Sequence, residues 1–131
     1  MCGDMDSQTG PRSILVIENN PDQLQLIRDQ LGALVRTIGA TDGFDGYSLA
    51  CSERPAAVVL DLAMPLVDGW TVLRKLRSNP KTSTVPVILV TGLEPDSIAD
   101  DAHRLGVRSV LRKPYAIEEL HRAVNAALKS A

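Results

Sequence analysis

Ala57-Val58-Val59-Leu60-Asp61 places a carboxylate directly after four apolar residues. A short continuous apolar run suits a strand buried on both faces of a parallel sheet, whereas a half-solvated strand would alternate. Ile14-Leu15-Val16-Ile17 repeats the pattern upstream, and Val85-Pro86-Val87-Ile88-Leu89-Val90 repeats it downstream. Val35 to Ile38 and Ser109 to Arg112 are weaker candidates of the same kind.

The gaps between these runs carry helical periodicity. Leu24, Ile27, Leu31 and Leu34 form one stripe, with Asn20 at the N-cap and Pro21 at the first helical position. Phe44, Tyr47, Ala50 and Cys51 mark a second helix that stops before Pro55. Trp70, Leu73, Leu76 and Arg77 lie in a third, which ends near Asn79-Pro80. Ile98, Ala102 and Leu105 mark a fourth, closed by Gly106 in a left-handed C-cap. Ile117, Leu120, Val124, Ala127 and Leu128 give the fifth, with Glu118 and Glu119 in its first turn and Lys129 in its last, as the helix macrodipole favours. Five strands alternating with five helices imply a doubly wound α/β domain with right-handed crossovers.

A chain of 131 residues fits one domain. Met1 to Pro11 is polar and aperiodic, so residues 1–12 are expected to be a flexible leader and 13–131 the folded domain. Aromatic residues make up only 3%, so the core must be Val, Leu, Ile and Ala, and stacking on single-stranded nucleic acid is disfavoured. The net charge of -2 gives no basic field for a phosphate backbone or a membrane surface, and no apolar run is long enough to span a bilayer. Cys2 and Cys51 lack metal-ligand spacing; Cys51 reads as a small buried apolar residue and Cys2 as part of the leader. The expected setting is a reducing cytoplasm, with no direct nucleic-acid or membrane partner.

In an open parallel sheet, ligands bind beyond the carboxyl ends of the strands. Four polar groups fall there: Glu18-Asn19-Asn20 after the first strand, Asp61 after the third, Thr91-Gly92 after the fourth and Lys113-Pro114 after the fifth. Each alone has an ordinary explanation. A lone Asp after a strand is most often a turn or cap residue, and Glu18-Asn19-Asn20 also reads as a capping cluster. A lone lysine is usually solvated, and Thr91-Gly92 is an unremarked loop. Their shared edge is what turns four weak signals into one site. A carboxylate can attack phosphorus and become an acyl phosphate. Glu18 can help hold a divalent cation such as Mg²⁺, while Lys113 and Thr91 can contact phosphoryl oxygens.

These residues resemble the bacterial response-regulator receiver domains over about residues 13–128. The most specific segment is Val58-Val59-Leu60-Asp61-Leu62-Ala63-Met64-Pro65 followed by Asp68-Gly69, with Thr91 and Lys113-Pro114 in order behind it. The resemblance implies a flavodoxin-like sheet in the order 2-1-3-4-5 with five helices on two faces. It also implies a function that is not enzymatic beyond the domain's own phosphotransfer and dephosphorylation. Asp61 would accept a phosphoryl group from a histidine kinase or phosphotransfer protein, with Thr91 and Lys113 contacting the phosphate. Mg²⁺ would sit among Glu18, Asn19, Asp61 and the backbone carbonyl of Ala63. The surface of the fourth helix, fifth strand and fifth helix would then change and be read by a downstream protein. The expected state is a monomer or weak dimer.

Three departures from the family pattern qualify those expectations. Asn19 offers a neutral oxygen where an acid is usual, so either Mg²⁺ binds weakly or Asn19 ligates adequately. Val110 stands at the switch position, where an aromatic is usual; either Tyr115 or backbone movement carries more of the switch, or Val110 simply fills the sheet edge. Ala63 and Leu93, at positions that modulate hydrolysis, cannot orient a water, which implies a slowly decaying phosphate.

Competing functions use the same residues differently. A phosphorylation-independent docking module with a partly degenerate metal site would explain Asn19 and Val110, but not an intact Asp61, Thr91 and Lys113. A haloacid-dehalogenase-like phosphatase needs a second Asp where Ala63 stands. A flavodoxin needs a hydroxyl- and Gly-rich loop where Glu18-Asn19-Asn20 stands. A DNA-binding output would need a further domain, which the sequence does not offer.

Overall fold

The computed structural model describes residues 12–32, 35–62 and 68–130. Leu34, Ala63, Met64, Pro65, Cys2 and all of the expected leader except Arg12 lie outside the described residues. Arg12 itself donates from Nη1 to the Leu128 carbonyl at 2.6 Å.

In chain order the elements are β1 (Ser13–Ile17), α1 (Pro21–Leu31), β2 (Arg36–Ala40), α2 (Gly43–Glu53) and β3 (Ala57–Asp61). They continue with α3 (Gly69–Ser78), β4 (Val87–Thr91), α4 (Pro95–Arg104), β5 (Ser109–Arg112) and α5 (Ile117–Ser130). The five strands pair in parallel in the order β2-β1-β3-β4-β5, as expected. β1, β3 and β4 are buried along their whole length, which is why they read as unbroken apolar runs.

Alternate residues of each strand feed two cores. Leu15, Ile17, Val58, Leu60, Val87 and Leu89 pack with Ala50 of α2, Val72, Leu73 and Leu76 of α3, and Ile98 and Ala102 of α4. Ile14, Val16, Val59, Ile88, Val90 and Leu111 pack with Leu24, Ile27 and Leu31 of α1 and with Leu120, Val124 and Ala127 of α5. Each fully buried Leu or Ile contributes roughly 1.5–3 kcal/mol of apolar transfer.

Local signals set the helix ends. The Asn20 side chain accepts from the Asp22 and Gln23 amides at 2.9 and 3.1 Å, and Pro21 opens α1. Gly106 takes φ 68 after α4, and the Val107 amide reaches back to the Ala102 carbonyl, a Schellman-type stop.

The structure departs from the sequence reading in three places. β2 starts at Arg36 rather than Val35 and runs on through Gly39 and Ala40. β4 starts at Val87, because Pro86 has no amide to donate and instead accepts from the Val58 N–H at 2.9 Å. The buried face of α2 is Gly43, Gly46 and Ala50, while Phe44 is 61% exposed. Cys51 is only partly buried, and its sulfur accepts from Asn79 Nδ2 at 3.3 Å. The cause is close packing of α2 on β1. A Cβ on Gly46 would lie 2.6 Å from Ile17 Cδ1, so the helix turns its glycine inward and its phenylalanine outward.

Candidate functional site

Strand alternation decides which way each edge residue faces. Glu18 follows the parity of Ile14 and Val16, Asp61 that of Ala57 and Val59, and Lys113 that of Leu111, all residues of the α1/α5 core. Thr91 follows Val87 and Leu89, which belong to the α2/α3/α4 core. The two acids and the lysine therefore converge from one side and the threonine approaches from the other.

The convergence is tight. Lys113 Nζ lies 3.1 Å from Glu18 Oε1 and 3.7 Å from Asp61 Oδ2. Glu18 is 2% exposed and Asp61 5%, so both carboxylates sit out of bulk water with the ammonium between them. The second Glu18 oxygen accepts from the Asn20 amide at 3.2 Å, which fixes the carboxylate against the start of α1. Two acids facing one lysine leave a formal excess of one negative charge. In so sheltered a place that excess attracts a cation more strongly than it would at the surface.

Thr91 is fully buried, and its Oγ1 accepts from the Leu93 amide at 3.0 Å. Its carbonyl accepts from the Lys113 amide at 2.7 Å, the last rung between β4 and β5. The backbone therefore ties the threonine to the lysine. The Lys113-Pro114 peptide is cis.

The Asp68-Gly69 pair acquires a physical reason. Asp68 caps α3 by accepting from the Thr71 amide at 2.9 Å. A Cβ on Gly69 would lie 2.6 Å from both the Asp61 carbonyl oxygen and Leu62 Cα. Only glycine lets α3 start directly against the strand end that carries Asp61. The Gly69 amide uses that closeness to donate to the Leu62 carbonyl at 2.9 Å.

Val110 packs against the α2/α3/α4 core, in register with Leu89. Tyr115 packs against the opposite core, with its hydroxyl 3.5 Å from Gln30 Oε1. Burial, and secondarily the charge of Glu18, raises the Tyr115 pKa. Tyr115 is thus on the wrong face to replace an aromatic at Val110 beside Thr91. Leu93 is 51% exposed, and Ala63 lies outside the described residues.

Among the described residues no three His, Cys, Asp or Glu side chains group as a metal cage. The two buried carboxylates of Glu18 and Asp61 offer only oxygen donors, with Asn19 next to Glu18 in the chain, and oxygen donors suit a hard cation that keeps several of its waters. No helix among the described residues is long and apolar enough to cross a membrane.

The response regulator receiver domain profile matches residues 14–125, and the chain belongs to that family. It is 32% identical to the protein PilH of Pseudomonas aeruginosa, over 88% of this chain and 96% of PilH. It is 33% identical to the DNA-binding dual master transcriptional regulator RpaA of Synechocystis, over 88% of this chain but about half of RpaA (48%). Among solved structures it is similar to the receiver domain of the sensor histidine kinase PA1611 from Pseudomonas aeruginosa, whose active-site cleft coordinates a magnesium ion. That match has TM-score 0.82 and 26% identity, covering 92% of this chain and 99% of the other. The protein is a receiver domain of two-component signalling.

Sequence reasoning found the four strand-end groups but missed the contacts that hold them. The Asn20 amide on Glu18 and the Cβ exclusion at Gly69 are backbone effects, and no side-chain pattern reports them. Arg77 was read as one more residue of the α3 stripe. Its guanidinium instead donates to the carbonyls of Ser83, Val85, Leu105 and Gly106. Burial lowers its pKa.

Proposed function

We propose that Asp61 takes a phosphoryl group from a histidine kinase or histidine phosphotransfer protein. The observation that carries this reading is the buried Asp61 carboxylate 3.7 Å from the Lys113 ammonium, which also contacts Glu18. A carboxylate oxygen attacks the phosphorus of phosphohistidine, the P–N bond breaks, and its electron pair leaves with the imidazole. Lys113 balances charge on the phosphoryl oxygens. Thr91 donates its hydroxyl proton to one of them while still accepting from the Leu93 amide.

Glu18, Asp61, the Asn19 side-chain oxygen and the Ala63 backbone carbonyl would hold Mg²⁺, which supplies further positive charge to the same oxygens. With Asn19 in place of an acid, binding is expected to be weak. Ala63 and Leu93 leave no side chain to orient a hydrolytic water, so the phosphate decays slowly. The domain acts on no substrate beyond its own phosphate. It works in the cytoplasm as a monomer or weak dimer, and a downstream protein reads the surface of α4, β5 and α5. No observation favours docking without phosphorylation.

Intact mass after incubation with Mg²⁺ and a small phosphodonor, or with the cognate kinase, tests the reading. A phosphoryl mass gain in the wild type that is absent from Asp61→Asn is expected. Equal labelling of both proteins, or none in the wild type with either donor, would overturn it.

A further inference from the structure

The net charge of -2 conceals a local surplus of the opposite sign. Between Gly69 and Gly92 stand Arg74, Lys75, Arg77 and Lys81, with no Asp or Glu among them. Arg77 is committed inward, to the carbonyls of Ser83, Val85, Leu105 and Gly106. Arg74 and Lys75 are exposed on α3, and among the described residues neither pairs with a carboxylate. Arg74 makes one long contact, from Nη2 to Thr71 Oγ1 at 3.4 Å. Cations on neighbouring elements do find acids: Arg104 pairs with Asp101, and Arg112 with Glu94 at 2.9 Å.

Arg74 and Lys75 line a groove between α2 and α3. A cavity of about 570 Å³ opens there, bounded by these two cations with Tyr47, Thr71, Ser78 and Asn79. Among the described residues no carboxylate lines it. Its walls are tied together, because Asn79 Nδ2 donates to the Tyr47 hydroxyl at 2.9 Å and to Cys51 Sγ at 3.3 Å. A groove fixed in this way needs little reordering to receive a ligand. Lys75 Nζ stands 5.5 Å from the centre of the Tyr47 ring and 6.0 Å from that of Phe44. Its ammonium leans on aromatic faces and keeps its N–H donors unspent.

The ground beside the cations is apolar. Phe44 is the most exposed large hydrophobic side chain among the described residues. Three of the chain's four aromatic residues, Phe44, Tyr47 and Trp70, lie on α2 and α3. Arg74 also borders a second cavity, of about 350 Å³, with Trp70 and Leu105 on the side of α4. One exposed phenylalanine is ordinary, but one set against unpaired cations and a preformed groove marks an interaction surface.

We propose that the α2/α3 groove docks a short acidic segment of a partner protein, its carboxylates on Arg74 and Lys75 and an apolar side chain on Phe44. The Arg74 fork takes a carboxylate at two points, and Lys75 acts as a point charge. A long polyanion fits poorly, because Asp45 and Glu53 of α2 and Asp100 and Asp101 of α4 stand on the flanking helices. The groove includes no residue of β5 or α5, so a partner held there leaves that surface open to another.

Fluorescence anisotropy of the full chain with a labelled peptide of glutamates around a single leucine tests the docking, with a single-stranded oligonucleotide for comparison. The peptide is expected to bind, and to bind more weakly as salt is raised. Arg74→Glu combined with Lys75→Glu should weaken it by about tenfold or more, and Phe44→Ser several-fold. The matched reversal on α5, Arg122→Glu with Lys129→Glu, should change it little. Amide shifts on binding should gather over Phe44 to Cys51 and Thr71 to Asn79. No binding at low salt, equal weakening by both reversals, shifts gathered on another face, or an oligonucleotide bound as tightly as the peptide would overturn the proposal. If the α3 reversal fails to fold by circular dichroism, Phe44→Ser and the shift map decide.

Discussion

On the α1/α5 side of the sheet, Leu24, Ile27, Leu31, Leu120, Val124 and Ala127 close over the strands, and Glu18, Asp61 and Lys113 converge at the same side's edge. On the other side α2 presents Gly43, Gly46 and Ala50, α4 presents Ile98 and Ala102, and a cavity opens beside Trp70. The charge-bearing side thus rests on large side chains from both its helices, whereas on the side reached from Thr91 only α3, with Val72, Leu73 and Leu76, matches them, and α2 and α4 contribute smaller and fewer ones. A site whose carboxylates must stay within about an ångström of working geometry needs firm support. A surface that must change when the site is filled needs the opposite, and elements that move come from the weakly packed part of a fold.

Truncation should expose this contrast most strongly. Leu120→Ala is expected to cost about 2–5 kcal/mol by urea denaturation, near the upper end because Leu120 is fully buried between α5 and the sheet. Ile98→Ala should fall near the lower end of the same range, since α4 borders a cavity and can relax. Equal losses would break the comparison. Gly69→Ala should cost about 1–3 kcal/mol, because its Cβ meets backbone rather than a movable side chain, and it should disturb the Asp61 amide resonance as well.

Adding charge sharpens the contrast further. Asn19→Asp should tighten Mg²⁺ by on the order of tenfold in calorimetric titration, and lower the stability of the metal-free protein through repulsion with Glu18 and Asp61. Unchanged affinity would mean that Asn19 already ligates adequately. The smallest effect concerns Tyr115, whose pKa is raised above its ordinary 10.0 by burial and by Glu18. The unfolded chain then gives up the phenolic proton first, so stability is intact below that value and declines as pH climbs above it. Tyr115→Phe should flatten that alkaline decline, and an unaltered slope would remove Tyr115 as its source.

The strands of the buried sheet were legible because each carries its own apolar run, and Ser109–Arg112 is found as expected. Asn20-Pro21 and Gly106 announced helix ends through local chemistry that tertiary packing did not override. α2 was misread because periodicity counts large apolar residues. Gly46, the residue that sets how near α2 comes to Ile17, contributes nothing to that count. The edge groups were legible as a set, since parallel topology sends every strand's carboxyl end to one rim. Arg77 was not, because its partners are backbone carbonyls up to 29 residues away.

The rung from the Lys113 amide to the Thr91 carbonyl fixes the reading frame of β5 against β4. Deletion of one residue within Ser109–Arg112 would leave β5 able to pair but would reverse the facing of everything after it. Lys113 would take the place of Arg112, on the side of Val110 and Glu94. Asp61 and Glu18 would then share their sheltered edge with no ammonium, although every residue named in the site was still encoded. Loop lengths around this domain can drift, whereas the spacing from Val110 to Lys113 cannot change by a single codon.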